Sequence, residues 1–197
     1  MARNPEHTRQ LIIDKALPIF NTKGYAAASI SDITAATGIT KGAIYGNFKN
    51  KDEVATAAFE RGVEIVSGEI AKRVRAKSTA PEKLNAIIDF YEEYITKPPI
   101  PGGCPVLNSS IEADDSLPFL RSKVIRSIAL LKDSVIKMIN RGIIEGQIKK
   151  ETDAEEFANF FYSTIEGVIS LSRIEGDGRS FEFVKRFVRK QIKEIST

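Results

Sequence analysis

Apolar residues recur along nearly the whole chain at spacings of three and four, and no stretch alternates apolar and polar residues long enough to read as a strand. The spacing predicts an all-α fold of about nine helices. The first covers residues 8–23, buries Ile12, Ala16, Ile19 and Phe20, and ends at Gly24, with a kink expected at Pro18. A second opens at Ser29, whose hydroxyl can cap free backbone donors with Asp32 three residues on; it turns Ile30, Ile33 and Ala36 inward. Gly38 breaks it, Thr40 caps the next, and residues 41–47 form a short third helix held by Ile39, Ile44 and Phe48.

The pattern continues in longer segments. Asn50 and Glu53 open a fourth helix carrying Val54, Phe59, Val63, Val66, Ile70 and Val74. Gly62 and Gly68 lie inside it at about 1 kcal/mol each relative to alanine, which marks either a bend between head and body or close helix packing. A fifth helix follows Pro81, and residues 97–103, with three prolines and two glycines, can only be a loop. A short sixth helix, 104–114, and a long seventh after Pro118 come next. Thr152 with Glu155, and then Ser180, are expected to cap the last two. Their stripes, Phe157, Phe160, Phe161, Ile165, Val168 and Ile169, then Val184, Phe187, Val188, Ile192 and Ile195, are wider than one neighbour needs. Such a pair either closes the subunit's own core or builds a four-helix interface with a second copy.

Composition describes an ordinary globular protein of 197 residues, 42% apolar and 28% charged. No apolar run nears the roughly 18 residues that span a bilayer, and the N-terminus lacks a signal-peptide pattern, so a cytoplasmic location is expected. A single cysteine, Cys104, excludes an intrachain disulfide. The net charge is +3, and residues 1–52 hold seven Lys or Arg against four acids, with 22 of each sign elsewhere. The excess sits where a polyanion would bind, although three charges alone are weak evidence.

Residues 29–47 carry the chemistry. A helix of about seven residues, a glycine turn and a second short helix form a helix-turn-helix, the arrangement that seats a recognition helix in the major groove. Small Gly42 and Ala43 allow close approach, and Ala43 can also touch a thymine methyl. Asn47 can pair with adenine, and Lys41 can reach guanine or phosphate. Ser29, Thr40, Tyr45 and Lys51 suit phosphate oxygens. Spacing alone also admits any helical hairpin with a glycine turn.

The run GYAAASISDITAATGITKGAIYGNFKNKDEV, residues 24–54, resembles the N-terminal signature of the TetR family of transcription regulators. In that pattern Gly-Tyr or Gly-Phe ends the first helix, Thr or Ser starts the second, and Gly-Val-Ser-Lys-Gly-Thr-Leu-Tyr leads to a Phe and a Lys. Gly38, Ile39, Thr40, Lys41, Gly42, Ala43, Ile44, Tyr45, Phe48 and Lys51 stand at those places. Departures fall at Ser31, where many members carry Arg or another long polar residue, and at Asn47, where they carry His, so the base sequence read is not transferable. The resemblance implies a DNA-binding domain over 1–52 and a helical ligand-sensing and dimerisation domain over 53–197. It further implies a homodimer through about 153–174 and 180–195, a two-fold symmetric operator and release by a small-molecule or thiol-reactive effector.

The segment GGCPVLNSSIEADD, residues 102–115, resembles one branch of that family, in which a Gly-Cys pair opens the sixth helix and an Asn and a Glu follow at the spacings of Asn108 and Glu112. A thiol at a helix N-terminus can be reactive, but a small buried hydrophobe beneath the proline-rich loop is the simpler reading of Cys104. Asn108 and Glu112 share a helix face and either point into a cavity or cap nearby backbone. Glu112, Asp114 and Asp115 read as a solvated helix end rather than a cation site. Val63, Phe90, Tyr91, Tyr94, Cys104, Leu107, Asn108 and Ile111 are the candidates for lining an effector cavity, with core packing as the alternative for the aromatics.

Two other classes compete. An enzyme is disfavoured: the one histidine is His7, and there is no P-loop, dinucleotide fingerprint, metal-ligand spacing or nucleophile elbow, so no cofactor or metal is expected. A helical adaptor acting through protein partners would lack specific DNA binding and its salt dependence.

Overall fold

The computed structural model describes residues 5–115 and 117–197, with the side chain of Asp115 not described; Arg3, among the basic residues counted above, lies outside this set. The described residues form nine α-helices: α1 Pro5–Ala27, α2 Ile30–Thr37, α3 Lys41–Tyr45, α4 Lys51–Arg75, α5 Ala80–Thr96, α6 Pro105–Asp115, α7 Pro118–Ile144, α8 Ala154–Glu175 and α9 Arg179–Ile195. Extended pairing among them is limited to an isolated bridge between Ile148 and Ser196.

Two compact units emerge from the packing, Met1–Val66 with Pro99–Arg126, and Ser67–Pro98 with Ser127–Thr197. The first unit thus contains α6 and the start of α7 as well as the N-terminal helices. Its core takes Ile12 and Leu17 from α1, Ile33 from α2, Ile44 from α3, Val54 and Phe59 from α4, Val106 and Ala113 from α6 and Leu120 from α7, all buried. Apolar faces of short helices cannot be covered by one neighbour, so these elements are stable only together.

The loop before α6 is pinned onto α1 by two asparagines. Asn21 Nδ2 donates to the carbonyls of Pro101 and Gly103, each at 2.8 Å, and Asn108 Nδ2 donates to the carbonyl of Gly102 at 2.8 Å and to that of Asn21 at 3.0 Å. The backbones come so close that a Cβ on Gly102 would lie 2.5 Å from the Asn21 carbonyl oxygen.

In the second unit α8 and α9 pack together and against α5, with Leu84, Ile88, Ile139, Phe161, Ile169, Phe181, Val188 and Ile192 as the buried centre. Lys185 on α9 donates to Glu92 at 2.6 Å and Glu182 at 2.8 Å, and Arg73 grips Glu93 through both guanidinium nitrogens at 2.9 and 2.7 Å.

Several local expectations change. The helix α1 starts earlier and passes through Pro18; its break is at Gly24, where φ is 76°, a conformation glycine adopts without steric cost. Helix α3 ends at Tyr45, not Asn47. Asp153 rather than Thr152 caps α8, accepting from the N–H groups of Glu155 and Glu156. Gly178 occupies the N-cap of α9, while Ser180 lies inside the helix and donates to Glu175. Phe187 is not an inner residue: it is 53% exposed, and with Phe183, Leu171 and Ile174 it leaves apolar surface on α8 and α9.

Candidate nucleic-acid interface

The helix-turn-helix is assembled by caps and four buried side chains. Ser29 and Asp32 form a reciprocal capping box at the start of α2. Gly38 ends α2 in the left-handed region, its N–H donating to Thr34. Thr37 Oγ1 donates to the Ile33 carbonyl and accepts from the Ile39 N–H, which fixes the turn, and Thr40 caps α3 by accepting from Ala43. Ile33, Ile39, Ile44 and Phe48 are all nearly inaccessible and clamp α3 to the rest of the unit. From the other side Arg9 lies 4.1 Å from the Phe48 ring centre and donates to the Asn47 carbonyl at 3.2 Å.

This clamping decides what α3 shows to solvent. Lys41, Gly42 and Tyr45 are exposed, Ala43 and Asn47 half-buried. A Cβ on Gly42 would meet nothing within 4 Å, so packing inside the chain gives no reason for a glycine in this short helix. The cost of about 1 kcal/mol relative to alanine is accounted for if another surface approaches the backbone there.

The other expected site residues are engaged within the protein. Asn47 Nδ2 donates to the Ala43 carbonyl at 2.8 Å, and the Ser29 hydroxyl donates to Asp32 at 2.8 Å. Asp32 also accepts from Lys23 at 2.7 Å, and these bonds, that of Lys23 foremost, hold its carboxyl down at about 2. Lys51 donates to the Tyr25 carbonyl at 2.6 Å and sits 4.1 Å from the Tyr25 ring centre.

Residues 12–58, which contain this arrangement, match the family model described as bacterial regulatory proteins, tetR family, and residues 80–188 match the tetracyclin repressor-like C-terminal domain. The chain belongs to the TetR family. It is a DNA-binding transcriptional regulator and not an enzyme. A TetR transcriptional regulator from Chloroflexus aurantiacus superposes with a TM-score of 0.94 at 34% identity, covering 98% of each chain. The HTH-type transcriptional repressor DhaR of Mycobacterium sp. (strain GP1) is 25% identical over 179 residues, 89% of this chain and 86% of its own. A cysteine mutant of the TetR family regulator CifR, solved with 26-bp double-strand operator DNA, shares the fold at a TM-score of 0.82 and 19% identity, over 91% of this chain and 94% of that one.

In this TetR regulator the break of α1 is held by Glu112, which takes the backbone-capping role that its shared helix face with Asn108 allowed. Glu112 is no solvated helix end: its carboxylate accepts from the N–H groups of Tyr25 at 2.7 Å and Ala26 at 3.1 Å, and Asn108 caps backbone one turn away. The Tyr25 hydroxyl donates to Asp52 at the start of α4; burial first, and that bond second, push its pKa up to about 12. Tyr25 and Glu112 therefore join α1, α4 and α6. The Gly-Tyr pair was visible in the sequence as a helix end, but nothing 87 residues away marked Glu112 as its partner.

The effector candidates fall in different places. Phe90, Tyr91 and Tyr94 pack edge-on or tilted at ring separations of 5.0 to 5.6 Å and are buried in the second unit, where Tyr91 lines a pocket with residues of α7 and α8. Val63, Cys104, Leu107, Asn108 and Ile111 belong to the first unit. There Asn108 borders a small pocket beside Tyr25 and Glu112, and Ile111, 72% exposed, edges an open groove with Ile125. Cys104 is buried, and its sulfur stands at the N-terminus of α6, accepting from the Leu107 N–H at 3.5 Å. Close packing also explains Gly62, where a Cβ would meet Leu17 at 3.0 Å and Pro105 at 3.2 Å, whereas Gly68 has open space around it.

Proposed function

We propose that this TetR regulator is a repressor that binds a palindromic operator as a homodimer and is released by a small-molecule effector. The observation that carries the DNA reading is the outward face of α3, where unobstructed Gly42 is flanked by exposed Lys41 and Tyr45. Lys41, Ala43 and Asn47 are assigned to base edges, with the Asn47 amide leaving the Ala43 carbonyl to pair with adenine. Thr40 and Tyr45 serve as phosphate anchors, joined by the remaining N–H groups of Lys51. Ser29 acts chiefly by holding α2, since its hydroxyl proton is directed at Asp32.

The repressor reading draws support from DhaR, described as a repressor, and the operator reading from CifR, solved on operator DNA. Exposed Leu171, Ile174, Phe183 and Phe187 on α8 and α9 supply the apolar face for a second copy. The division into 1–52 for DNA and 53–197 for sensing and pairing is retained as the functional one, with the cytoplasm as the location. Burial of Cys104 favours a noncovalent effector over a thiol-reactive one.

A gel shift on the DNA upstream of the protein's own gene, run at several salt concentrations with random DNA as competitor, tests this. About six phosphate contacts per dimer predict a log-log salt slope near −5. If no fragment outcompetes random DNA, the repressor reading fails.

A further inference from the structure

An open groove of about 390 Å³ lies in the second unit between the end of α4, the start of α5 and the C-terminal half of α7. Arg75, Lys77 and Lys83 line it from α4, the loop after it and α5, Lys137 and Arg141 from α7, and Glu145 is the one acid among the lining residues. This local excess of four cations is larger than the net charge of +3 on the whole chain. Arg75 and Arg141 stand in the last turns of α4 and α7, where a cation meets the negative end of the helix dipole. That reason does not extend to the lysines. Lys77 lies in the loop, Lys137 inside α7, and Lys83 is the fourth residue of α5, at the end where the dipole disfavours a cation.

The chain does not neutralise these charges itself. The side chains of Arg75, Lys77, Lys83 and Lys137 make no ion pair or hydrogen bond among the described residues. Glu145 accepts from Arg141 at 2.7 Å and Gln147 at 3.0 Å, and Glu82 from the N–H groups of Ser78 and Thr79, so these carboxylates reach Lys83 and Lys77 at longer range. The base of the groove is fixed. A Cβ on Gly142 would lie 2.6 Å from the Ala80 Cβ, and the Ala80 N–H donates to Gln147 at 2.7 Å, which ties the start of α5 to the end of α7.

We propose that this groove binds small phosphorylated ligands carrying a chain of two or three phosphates. Arg75, Lys77, Lys137 and Arg141 are exposed, so the groove is open to solvent rather than enclosed in the helical bundle, and its role does not rest on the repressor reading. The closely spaced negative charges of a phosphate chain meet several of these cations at once, and lysine and arginine supply the donors that phosphate oxygens accept. A volume of about 390 Å³ falls within the roughly 300–1,000 Å³ of small-ligand sites. Val74, Ala80 and Met138, also in the lining, offer apolar contact to an uncharged group attached to the phosphates.

Calorimetric titration of the full-length protein with AMP, ADP, ATP and inorganic tripolyphosphate, in magnesium-free buffer of fixed ionic strength, tests the assignment. Affinity should rise with the number of phosphates, ATP binding at least roughly tenfold more tightly than AMP, and should fall as salt is added. The double variant Lys83→Gln, Lys137→Gln should weaken ATP at least roughly tenfold, while Lys97→Gln, at the other end of α5, should leave it unchanged. Tighter binding of ATP than of tripolyphosphate identifies a nucleotide as the source of the phosphates, and the reverse an inorganic polyphosphate. No binding of either, AMP bound as tightly as ATP, or undiminished affinity in the double variant overturns the proposal. So does affinity for a random-sequence duplex that is lost in the double variant while ATP still binds, which would make nucleic acid the occupant. The series within the unaltered protein decides the matter even if the double variant does not fold.

Discussion

The Glu112 carboxylate on α6 accepts the backbone N–H groups of Tyr25 and Ala26, at 2.7 and 3.1 Å, where α1 breaks at Gly24. Two donors freed by the break thus find a charged acceptor, and the chain is aimed into α2. The same residue pair brings in α4, because Lys51 donates to the Tyr25 carbonyl and the Tyr25 hydroxyl to Asp52. Glu112→Ala leaves those N–H groups without this acceptor and should cost about 1–3 kcal/mol in urea unfolding, with weaker operator binding; Glu112→Gln should recover part of both. An unchanged unfolding midpoint would show the clasp to be energetically idle.

Gly42 separates the requirements of folding from those of DNA binding. Gly42→Ala adds a Cβ that meets nothing within 4 Å, so the protein should gain up to about 1 kcal/mol. Operator affinity should nevertheless fall, and Gly42→Leu should lower it further. Retained affinity in Gly42→Leu would mean that DNA does not approach this backbone.

The loop before α6 should respond sharply to Gly102→Ala. The added Cβ would lie 2.5 Å from the Asn21 carbonyl oxygen, and φ there is 91°, so a loss of about 1–3 kcal/mol is expected. Chemical denaturation measures it, and a neutral substitution would refute the close approach of the loop to α1.

A pH series isolates the α2 capping box. The bond from Lys23, and then those from Ser29, hold Asp32 at about 2, below its ordinary value of 3.8. A lowered carboxyl contributes stability above its unfolded value, and the contribution disappears as pH falls through the folded one. Asp32→Asn should therefore be less stable than the unaltered protein at neutral pH, with the difference closing between about pH 4 and pH 2. A difference that stays constant across that interval contradicts the assignment.

Charge placed on the outer face of α9 tests pairing. Phe183 is 60% exposed, so Phe183→Glu should change subunit stability by no more than about 0.5 kcal/mol. Sedimentation should nevertheless show a dimer in the unaltered protein and a monomer in the variant, with reduced operator affinity. A monomer in both removes the proposed interface.

The sequence by itself determined the helices and the DNA-binding motif, because both are written in local terms. A 3.6-residue apolar period, a Ser29–Asp32 box, Gly38 and Thr40 specify a helix, a turn and a helix through interactions spanning a few residues. Boundaries set by competition among neighbouring caps were less legible: Asp153 won over Thr152, and Gly178 over Ser180. Only the tertiary structure decided which chemically capable side chains are already engaged. Lys51 looks in sequence like a free anchor, yet it meets the carbonyl of Tyr25, which folding brings to it from another helix. Glu112 makes the same point at longer range. Whether a carboxylate is solvated or bonded to a broken helix depends on elements many residues away, and no local pattern carries that information.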